Sequence, residues 1–239
     1  MAERNKLEII PTGNEEFDIK IAGGLPFPSL VFIEGPHGTG KTALSQLFLR
    51  GALRLGLRGV ALVSEATIKG YIEKSKAAGL DLTDYFLSGR LDVYSMQAPG
   101  SKWSKERIKK LLPLVESFIA RNSARYDVFL IDSLSHIAIN SPITRLLEFF
   151  SILRRTVDRG KLVIITLHEG VMPEAAATRA RAICDGYLKL SSAVLAGRSV
   201  NILKIVKLKG AKTTFESTIS FNVDPAFGIK LVPIALATV

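Results

Sequence analysis

Residues 35–42 read Gly35-Pro36-His37-Gly38-Thr39-Gly40-Lys41-Thr42, which is the pattern G-x-x-x-x-G-K-T of a phosphate-binding loop. The apolar run Leu30–Ile33 precedes this loop, and residues 43–55 follow it with apolar side chains at helical spacing. Strand, glycine-rich loop and helix in this order are the setting that the pattern requires. The alternative is a glycine turn before a core helix, which this complete setting disfavours. The sequence therefore predicts a site for a nucleoside triphosphate.

The loop offers phosphate both backbone and side-chain contacts. Its glycines let the backbone approach phosphate oxygens, and the free N–H groups at the start of the following helix favour negative charge. We expect Lys41 to reach the β- and γ-phosphates, as a binding and a catalytic residue, and Thr42 to hold Mg²⁺ through its hydroxyl. The predicted cofactors are thus ATP and Mg²⁺. The predicted nucleotide-binding residues of this segment are Gly35, Pro36, His37, Gly38, Thr39, Gly40, Lys41, Thr42 and Ala43.

Two acidic residues follow predicted strands. Asp132 ends the buried run Val128–Ile131, the position at which phosphate-loop ATPases place the carboxylate that holds magnesium. Glu65 follows the strand Val60–Val63, and it is the predicted general base because the strand ends of a parallel sheet face the ligand crevice. The alternatives are that Asp132 caps a turn and that Glu65 lies on the surface at a helix start, where its charge suits the helix dipole.

The chain has three histidines. His168 ends the strand Leu162–Leu167, where it either senses the γ-phosphate or only satisfies the strand end. His37 occupies a variable position of the loop, and we expect it to face solvent or a neighbouring subunit. His136 follows the strand that carries Asp132. The spacing of the three histidines matches no metal-ligand pattern, so no histidine metal site is predicted.

Two lysines near the C-terminus are candidate nucleotide-binding residues that act across a subunit interface. Lys207 and Lys209 are two apart in a predicted strand and should project from one face, with Val206 and Leu208 on the other. They either reach a phosphate bound to another subunit or form an ordinary solvated strand edge, where lysine discourages aggregation. Spacing alone favours the edge.

Composition limits the possible classes of protein. The chain has 239 residues, 47% of them hydrophobic, so it can bury a sizeable core. No run of 18 apolar residues occurs, and the polar residues 1–6 indicate no signal peptide. The single cysteine, Cys184, excludes an internal disulfide and is predicted to be a small core residue. We therefore expect a soluble cytoplasmic protein.

The net charge of +10 is concentrated in two segments. Residues 186–215 contain six basic residues and no acid, and residues 101–112 contain five basic residues and one glutamate. Such clusters favour acidic partners such as nucleic acid, anionic lipid or an acidic protein surface. The alternative is a solvated surface of a basic protein.

Strands alternate with helices through the first two thirds of the chain, which predicts an α/β fold with a mainly parallel sheet covered by helices. Three strand-like runs near the C-terminus predict antiparallel edge strands, with a turn at Ala196-Gly197. Pro113 should kink or split the basic helix that begins near Lys105. Ser141-Pro142 predicts an N-cap followed by proline at the first helical position, and Gly160 should cap the C-terminus of that helix. We find no linker, so residues 1–239 are predicted to form one domain.

Several motifs together resemble those of the RecA/KaiC-type ATPases and, within them, of the archaellum ATPase family FlaH. The loop 34–42 is close to the FlaH form, and the segment 131–135 is similar to its Walker B region, the strand that ends in the magnesium-binding aspartate. Other matching segments are 12–18, 23–26, 166–168, 183–185, 223–225 and 227–230. The similarity extends from about Lys6 to Val239, and this conjunction is far narrower than the phosphate loop alone.

The resemblance implies a RecA-like core that forms a ring, expected to be a hexamer, with ATP at the subunit interfaces. It also implies a place on the cytoplasmic side of the archaellum motor, peripheral to the membrane. The expected partners are the motor ATPase FlaI, a FlaX-type scaffold and the membrane platform. The run 207–210 resembles the KaiC segment that reaches the neighbour's nucleotide, which favours a role in trans for Lys207 and Lys209.

Two departures from the KaiC pattern argue against rapid turnover. KaiC-type proteins often carry adjacent glutamates where this chain has Ser64-Glu65. They carry arginine where Lys209 stands, and lysine lacks the planar fork of arginine. ATP binding with slow hydrolysis, or with none, is therefore expected, so enzymatic activity stays open.

Two other functions remain as alternatives. A recombinase-like DNA-binding ATPase would suit the positive charge, but the sequence shows neither a separate DNA-binding domain nor a glycine-rich DNA loop, so nucleic acid is not an expected partner. A KaiC-like signalling ATPase that phosphorylates itself is the other, and the sequence nominates no phosphorylation site for it.

Overall fold

The computed structural model describes residues 7–96, 105–139, 141–195 and 197–233, without the side chains of residues 105–109 and 195. Lys102 of the basic segment and Ala196 of the predicted turn lie outside this part. The strands are β1 (Ile9–Ile10), β2 (Leu25–Pro26), β3 (Ser29–Gly35), β4 (Gly59–Val63), β5 (Leu91–Ser95), β6 (Val128–Asp132), β7 (Leu162–His168), β8 (Gly186–Leu195), β9 (Arg198–Leu208), β10 (Thr218–Asp224) and β11 (Gly228–Leu231). The helices are α1 (Glu15–Lys20), α2 (Lys41–Arg54), α3 (Ile68–Ala77), α4 (Thr83–Leu87), α5 (Lys105–Asn122), α6 (Ser135–Ala138), α7 (Ile143–Asp158) and α8 (Glu174–Ile183).

A nine-stranded sheet organises the fold, in the order β11-β10-β9-β8-β3-β7-β6-β4-β5. Strands β8, β3, β7, β6, β4 and β5 run parallel to one another. Strands β9, β10 and β11 extend the sheet by antiparallel pairing. The predicted fold class is thus confirmed, including the antiparallel strands at the C-terminal edge.

Helices cover both faces of this sheet, and the side chains of β3 show how the two cores form. Val31 and Ile33 join the core beneath α2, while Leu30 and Phe32 join the opposite core beneath α5 and α7. Because successive strand residues point to opposite faces, a strand covered on both sides is apolar at every position. This explains the continuous apolar runs in the sequence of the parallel strands.

Helix α7 confirms the predicted apolar stripe, but its start differs from the prediction by one residue. The stripe is fully buried. Pro142 is itself the N-cap and Ile143 is the first helical residue, because the extended ψ of Pro142, 145°, keeps it outside the helix. Gly160 follows the end of the helix with a φ of +79°, a conformation that glycine adopts without strain. The stripe residues are Leu146, Phe149, Phe150, Leu153 and Val157.

Of the predicted kink or split at Pro113, the split is wrong, and so is the shared face of Val206 and Leu208. Helix α5 continues through Pro113 without a split, since the exposed proline lies on the solvent side and the apolar side of the helix packs on the sheet. Leu208 is buried whereas Val206 is 50% exposed, so these two residues do not share a face. The cause is an irregular register between β8 and β9 at Tyr187 and Leu188, which interrupts the alternation of side chains.

The parallel strands bring the predicted site residues to one edge of the sheet. Gly35 at the end of β3 pairs with His168 at the end of β7, and Val63 at the end of β4 pairs with Asp132 at the end of β6. Carboxyl ends of parallel strands form the ligand crevice of open α/β sheets. Within the described segments, no helix has the length and apolarity needed to cross a membrane.

Candidate nucleotide site

The phosphate loop joins the end of β3 to the start of α2 through a tightly confined backbone. A Cβ atom on Gly35 would lie 2.6 Å from the carbonyl oxygen of Leu190, so only glycine fits there. Gly40 has a φ of +86° and is the N-cap of α2, where no side chain caps the helix. The first N–H groups of α2 therefore stay free to bind an anion. The backbone of the loop, with its free N–H groups, therefore suits phosphate binding.

Lys41 points its ammonium group back into the loop. Its Nζ donates hydrogen bonds to the carbonyl oxygens of Gly35, at 2.9 Å, and Pro36, at 2.6 Å. Burial lowers the pKa of Lys41, and the carboxylates of Glu65 and Asp132 oppose that fall. The loop thus holds a cation beside free N–H donors, a donor set that fits a triphosphate.

Asp132 is buried at the end of β6. Its Oδ1 accepts a hydrogen bond of 2.6 Å from the hydroxyl of Thr166 on β7. Burial raises the pKa of Asp132, and the hydroxyls of Thr166 and Thr42 oppose the rise. A carboxylate whose charge is unfavourable in the free protein gains from a nearby cation.

The donor chemistry at this point fits magnesium. Thr42 and Asp132 line the same cleft, and hard oxygen ligands are those that Mg²⁺ prefers. Among the described residues, no group of three or more histidine, cysteine, aspartate or glutamate side chains could hold a metal ion. Magnesium usually reaches such sites with substrate phosphates and keeps several waters. The site therefore fits a metal that arrives with a nucleotide.

Glu65 is held by several hydrogen-bond donors. Its Oε1 accepts a hydrogen bond of 2.7 Å from the hydroxyl of Ser133 and lies 3.0 Å from Nε2 of His168. The Nε2 atom of His136 is 3.7 Å from the same oxygen. Burial disfavours the charged form of Glu65, but the contacts of Ser133 and His168 outweigh it and lower its pKa. Glu65 is therefore a fixed carboxylate, and its side chain is still 39% exposed.

His168 connects Glu65 to the phosphate loop. The ring of His37 stacks on the ring of His168, with 3.7 Å between centroids and 23° between planes. Burial lowers the pKa of His168, Lys41 and His37 lower it further, and the contact with Glu65 opposes them. His37 is exposed as predicted, but its contact with His168 was not predicted from the sequence.

Ser64 stands where KaiC-type proteins often carry another glutamate, and it ties two strand ends together. Its hydroxyl donates a 2.9 Å hydrogen bond to the carbonyl of Ser133, and it accepts one of 3.1 Å from the N–H of Ser133. Both serines are buried. The pair fixes the backbone of Ser133, whose own hydroxyl holds Glu65.

The cleft formed by these residues encloses about 340 Å³. It includes all of the predicted catalytic and metal residues, Lys41, Glu65, Thr42 and Asp132. Sequence reasoning missed four lining residues, Gln46, Lys74, Ala78 and Ser133, of which only Ser133 had a signal, its place beside Asp132. The lining residues are His37, Gly38, Gly40, Lys41, Thr42, Ala43, Gln46, Glu65, Lys74, Ala78, Asp132, Ser133 and His168.

Lys207 and Lys209 lie outside the cleft of their own chain. The Nζ of Lys207 donates hydrogen bonds of 2.9 and 3.0 Å to the carbonyls of Arg181 and Ala182, in the last turn of α8. Lysine at this position satisfies free carbonyls and suits the helix dipole. Lys209 is exposed beyond the end of β9, and its N–H donates to the carbonyl of Asp185 at 2.8 Å. A contact with nucleotide from these lysines would have to be made in another subunit.

Comparisons with known proteins agree along nearly the whole chain. Residues 10–235 match the family model described as "ATPase: KaiC". The "Archaeal flagellar ATP-binding protein FlaH" of Sulfolobus acidocaldarius is 39% identical over 96% of this chain and 99% of its own length. The protein of the same name from Methanocaldococcus jannaschii is 26% identical over 94% of this chain and 95% of its length. The crystal structure of the flagellar accessory protein FlaH from Methanocaldococcus jannaschii superimposes with a TM-score of 0.83, at 24% identity, and covers 95% of this chain and 100% of that one.

Proposed function

This chain belongs to the KaiC family of ATPases and, within it, to the FlaH proteins, and from that premise we propose that it is an ATP-binding component of the archaeal flagellum, the archaellum. One observation carries the proposal. Lys41, Thr42 and Asp132 meet in one cleft at the end of the parallel strands. The FlaH protein of Sulfolobus acidocaldarius, which is named as an ATP-binding protein, matches almost the whole chain and supports the same ligand. Family likeness and site chemistry therefore lead to the same ligand.

The site residues have separate roles in this proposal. Bound ATP with Mg²⁺ supplies the β- and γ-phosphates and the phosphoanhydride bond that water can cleave. Lys41 and the N–H groups at the start of α2 bind the phosphates. Thr42 and Asp132 hold the magnesium ion and its water, and Glu65 orients or deprotonates the attacking water. His168 lies beside Glu65 at 3.0 Å, where it can respond to the γ-phosphate.

We propose that turnover is slow and that ATP binding acts mainly as a structural switch. Glu65 stands alone where KaiC-type proteins often carry adjacent glutamates, and Ser64 supplies a structural bridge in place of the second one. Lys209 stands where they carry arginine, and lysine lacks the planar fork of arginine. These features favour a regulator or assembly factor over a rapid ATPase.

The proposal extends to assembly. Residues 1–239 would act as one domain in a ring, expected to be a hexamer, with Lys207 and Lys209 directed at the nucleotide of a neighbour. The ring would work on the cytoplasmic side of the membrane with the motor ATPase FlaI, a FlaX-type scaffold and the membrane platform. Support comes from the exposure of Lys209 and from the likeness of this chain to FlaH proteins.

The test is a pull-down of the motor ATPase by this protein with ATP, with ADP and without nucleotide. We expect ATP to change the amount captured for the parent chain, and Lys41→Ala to remove that dependence. Lys69→Ala is the matched control, because this lysine side chain is 86% exposed on α3. Capture that is absent under all conditions would reject the proposed partnership.

The same preparation addresses the recombinase alternative. The rate of ATP hydrolysis is measured with and without single-stranded DNA. The proposed function predicts equal rates, since nucleic acid is not a proposed ligand. A rate that DNA stimulates, and that falls with increasing salt as phosphate contacts require, would favour the recombinase instead.

A further inference from the structure

His37 and His168 line the cleft, and His136 lies beside it, within reach of Glu65. His168 and His136 approach the same carboxylate oxygen of Glu65, at 3.0 and 3.7 Å. His37 reaches the group from the phosphate loop by stacking on His168. We call these four residues and Ser133 the Glu65 cluster. They come from the loop after β3, the segment after β4, the segment 133–136 that leads from β6 into α6, and the end of β7.

Two residues of the Glu65 cluster hold the carboxylate of Glu65 in place. Ser133 and His168 both contact Oε1 of Glu65, at 2.7 and 3.0 Å. Ser133 is anchored through its backbone by Ser64, and the N–H of His168 donates to the hydroxyl of Ser135 at 2.8 Å. Both contacts on Glu65 therefore come from residues whose own backbones are tied down.

The surroundings of His168 indicate which of its ring nitrogens carries the proton. Nε2 faces Glu65, whereas Nδ1 is buried without a hydrogen-bond partner. A neutral ring with the proton on Nε2 donates to the carboxylate and leaves Nδ1 as an unpaired acceptor. A charged ring would also have an unpaired buried N–H at Nδ1, which costs free energy. The neutral donor form is thus the one that the site stabilises.

Charged residues on the neighbouring elements also act on the Glu65 cluster. Lys41 at the start of α2 and Asp132 at the end of β6 both act on Glu65 or His168. Glu169, the residue after His168, forms a 2.7 Å ion pair with Lys189 on β8. Because Glu169 has its own cation, the acidic partner that His168 contacts is Glu65.

We propose that His168 is a positioning residue that holds the carboxylate of Glu65 through Nε2, and that His37 couples this hold to the phosphate loop through the ring stack. The catalytic meaning of this arrangement rests on the proposed function, since it presumes that Glu65 acts on water beside a nucleotide. A ligand that shifts the loop moves His37 relative to His168, which changes the charge and packing on the ring that holds Glu65. The loop then sets how firmly Glu65 is held.

Imidazole NMR of the full chain without nucleotide tests the coupling directly. Three histidines give a tractable set of ring signals, and His136→Gln, His168→Gln and His37→Phe assign them. Glu65→Gln keeps a hydrogen-bond acceptor but removes the charge, so it should move the titration midpoint of His168 to lower pH. Glu73→Gln, an exposed glutamate on α3, is the matched control and should leave the midpoint unchanged.

The variant His37→Phe isolates the ring stack. Phenylalanine keeps an aromatic ring but cannot carry charge, so the titration of His168 should move to higher pH. An unchanged His168 midpoint in either Glu65→Gln or His37→Phe would overturn the proposal.

The contact of His168 with Glu65 is then tested with one conservative and one disruptive substitution of His168. His168→Gln retains a donor and should preserve the pH-independent part of hydrolysis, whereas His168→Ala should lower turnover more than it weakens nucleotide affinity. Equal turnover in both variants would also overturn the positioning role. ATP binding is measured in parallel: coupled titration without any ATP binding would reject the proposed function alone, and ATP binding without coupled titration would reject this inference alone.

Discussion

The phosphate loop and the Glu65 cluster face the same cleft, and they are built in different ways. The loop is one continuous segment whose contacts come from its backbone, from Lys41 and from the start of α2. The cluster is assembled from side chains of four separate segments, with the carboxylate held at 2.7 Å by Ser133 and at 3.0 Å by His168. The loop is thus an anion site built by one segment, whereas the cluster depends on the protonation and placement of its members.

This difference separates binding from turnover. Substitutions in the loop should act on nucleotide affinity, because they remove contacts with phosphate. Substitutions in the Glu65 cluster should act on hydrolysis and on its pH dependence, because they change the group that acts on water. The following predictions use this separation, starting with the largest expected effect.

Glu65→Gln should lower the rate of ATP hydrolysis by about 10²–10⁴-fold, the usual contribution of a positioned base. Nucleotide affinity should stay nearly intact, since Glu65 is not part of the loop. Single-turnover hydrolysis and equilibrium binding are measured on the same preparation. Glu73→Gln serves as the control. A measurable parent rate that Glu65→Gln leaves unchanged would show that Glu65 is not the base.

Lys41→Ala should abolish tight ATP binding, since it removes the cation that faces the phosphates. A ligand at one hundred times its dissociation constant stabilises the native state by about 2.7 kcal/mol. A thermal-shift assay with Mg-ATP should show this gain for the parent and for Lys69→Ala, and little of it for Lys41→Ala. Equal shifts for all three proteins would contradict the assignment of the loop.

Asp132→Asn should weaken ATP binding more in the presence of magnesium than in the presence of a chelator. Titrations under the two conditions measure the difference, with Asp84→Asn, an exposed aspartate on α4, as the control. An equal loss of affinity under both conditions would show that Asp132 does not handle the metal.

The same variant has an opposite effect on the stability of the nucleotide-free protein. Burial raises the pKa of Asp132 in the folded state, so the folded chain binds this proton more tightly than the unfolded chain. The destabilising contribution is absent below the unfolded pKa, grows as the pH rises from the unfolded to the folded pKa, and is fully present above the folded pKa. Asp132→Asn should therefore melt at a higher temperature than the parent at neutral pH, and the gain should vanish in acid. If the higher melting temperature of Asp132→Asn persists in acid, it has a cause other than the charge of Asp132.

The double change of Lys207 and Lys209 to Ala should remove any dependence of ring assembly on ATP. ATP binding by the single subunit should survive, because neither lysine lies in the cleft of its own chain. Loss of the Lys207 contacts with the end of α8 should cost about 0.3–1 kcal/mol of stability. Light scattering over a range of protein concentrations, with ATP, ADP and no nucleotide, measures assembly. The control variant has Lys204 and Lys212 changed to Ala. If assembly of the Lys207 and Lys209 double variant still responds to ATP as in the parent and the control, Lys207 and Lys209 belong to an ordinary solvated surface.

Sequence reasoning predicted the loop and the parallel strands well, because both follow local rules. The G-x-x-x-x-G-K-T pattern is contiguous, and strands such as β3 carry an uninterrupted apolar run, residues 30–33, because both faces are buried. Glu65 and Asp132 were placed correctly at the cleft, since each directly follows a strand whose end must face it.

The rest of the site depended on three-dimensional placement that local rules do not contain. Nothing in the spacing of His37 and His168 indicates that their rings stack, because the contact depends on the pairing of Gly35 with His168 across β3 and β7. Lys74 and Gln46 reach the cleft from helices whose angle the sequence does not specify. The predicted grouping of Val206 with Leu208 was wrong because a shift of register depends on the partner strand.

The most direct test of the central claim is a calorimetric titration of the full chain with Mg-ATP and with AMP. The central claim is that the loop binds the β- and γ-phosphates through Lys41 and the first N–H groups of α2. ATP should therefore bind saturably, with one molecule per chain. AMP, which lacks those phosphates, should bind far more weakly, and Lys41→Ala should bring the affinity for ATP down to that for AMP. Equal affinity of the parent for ATP and AMP, or no saturable binding of ATP, would contradict the account.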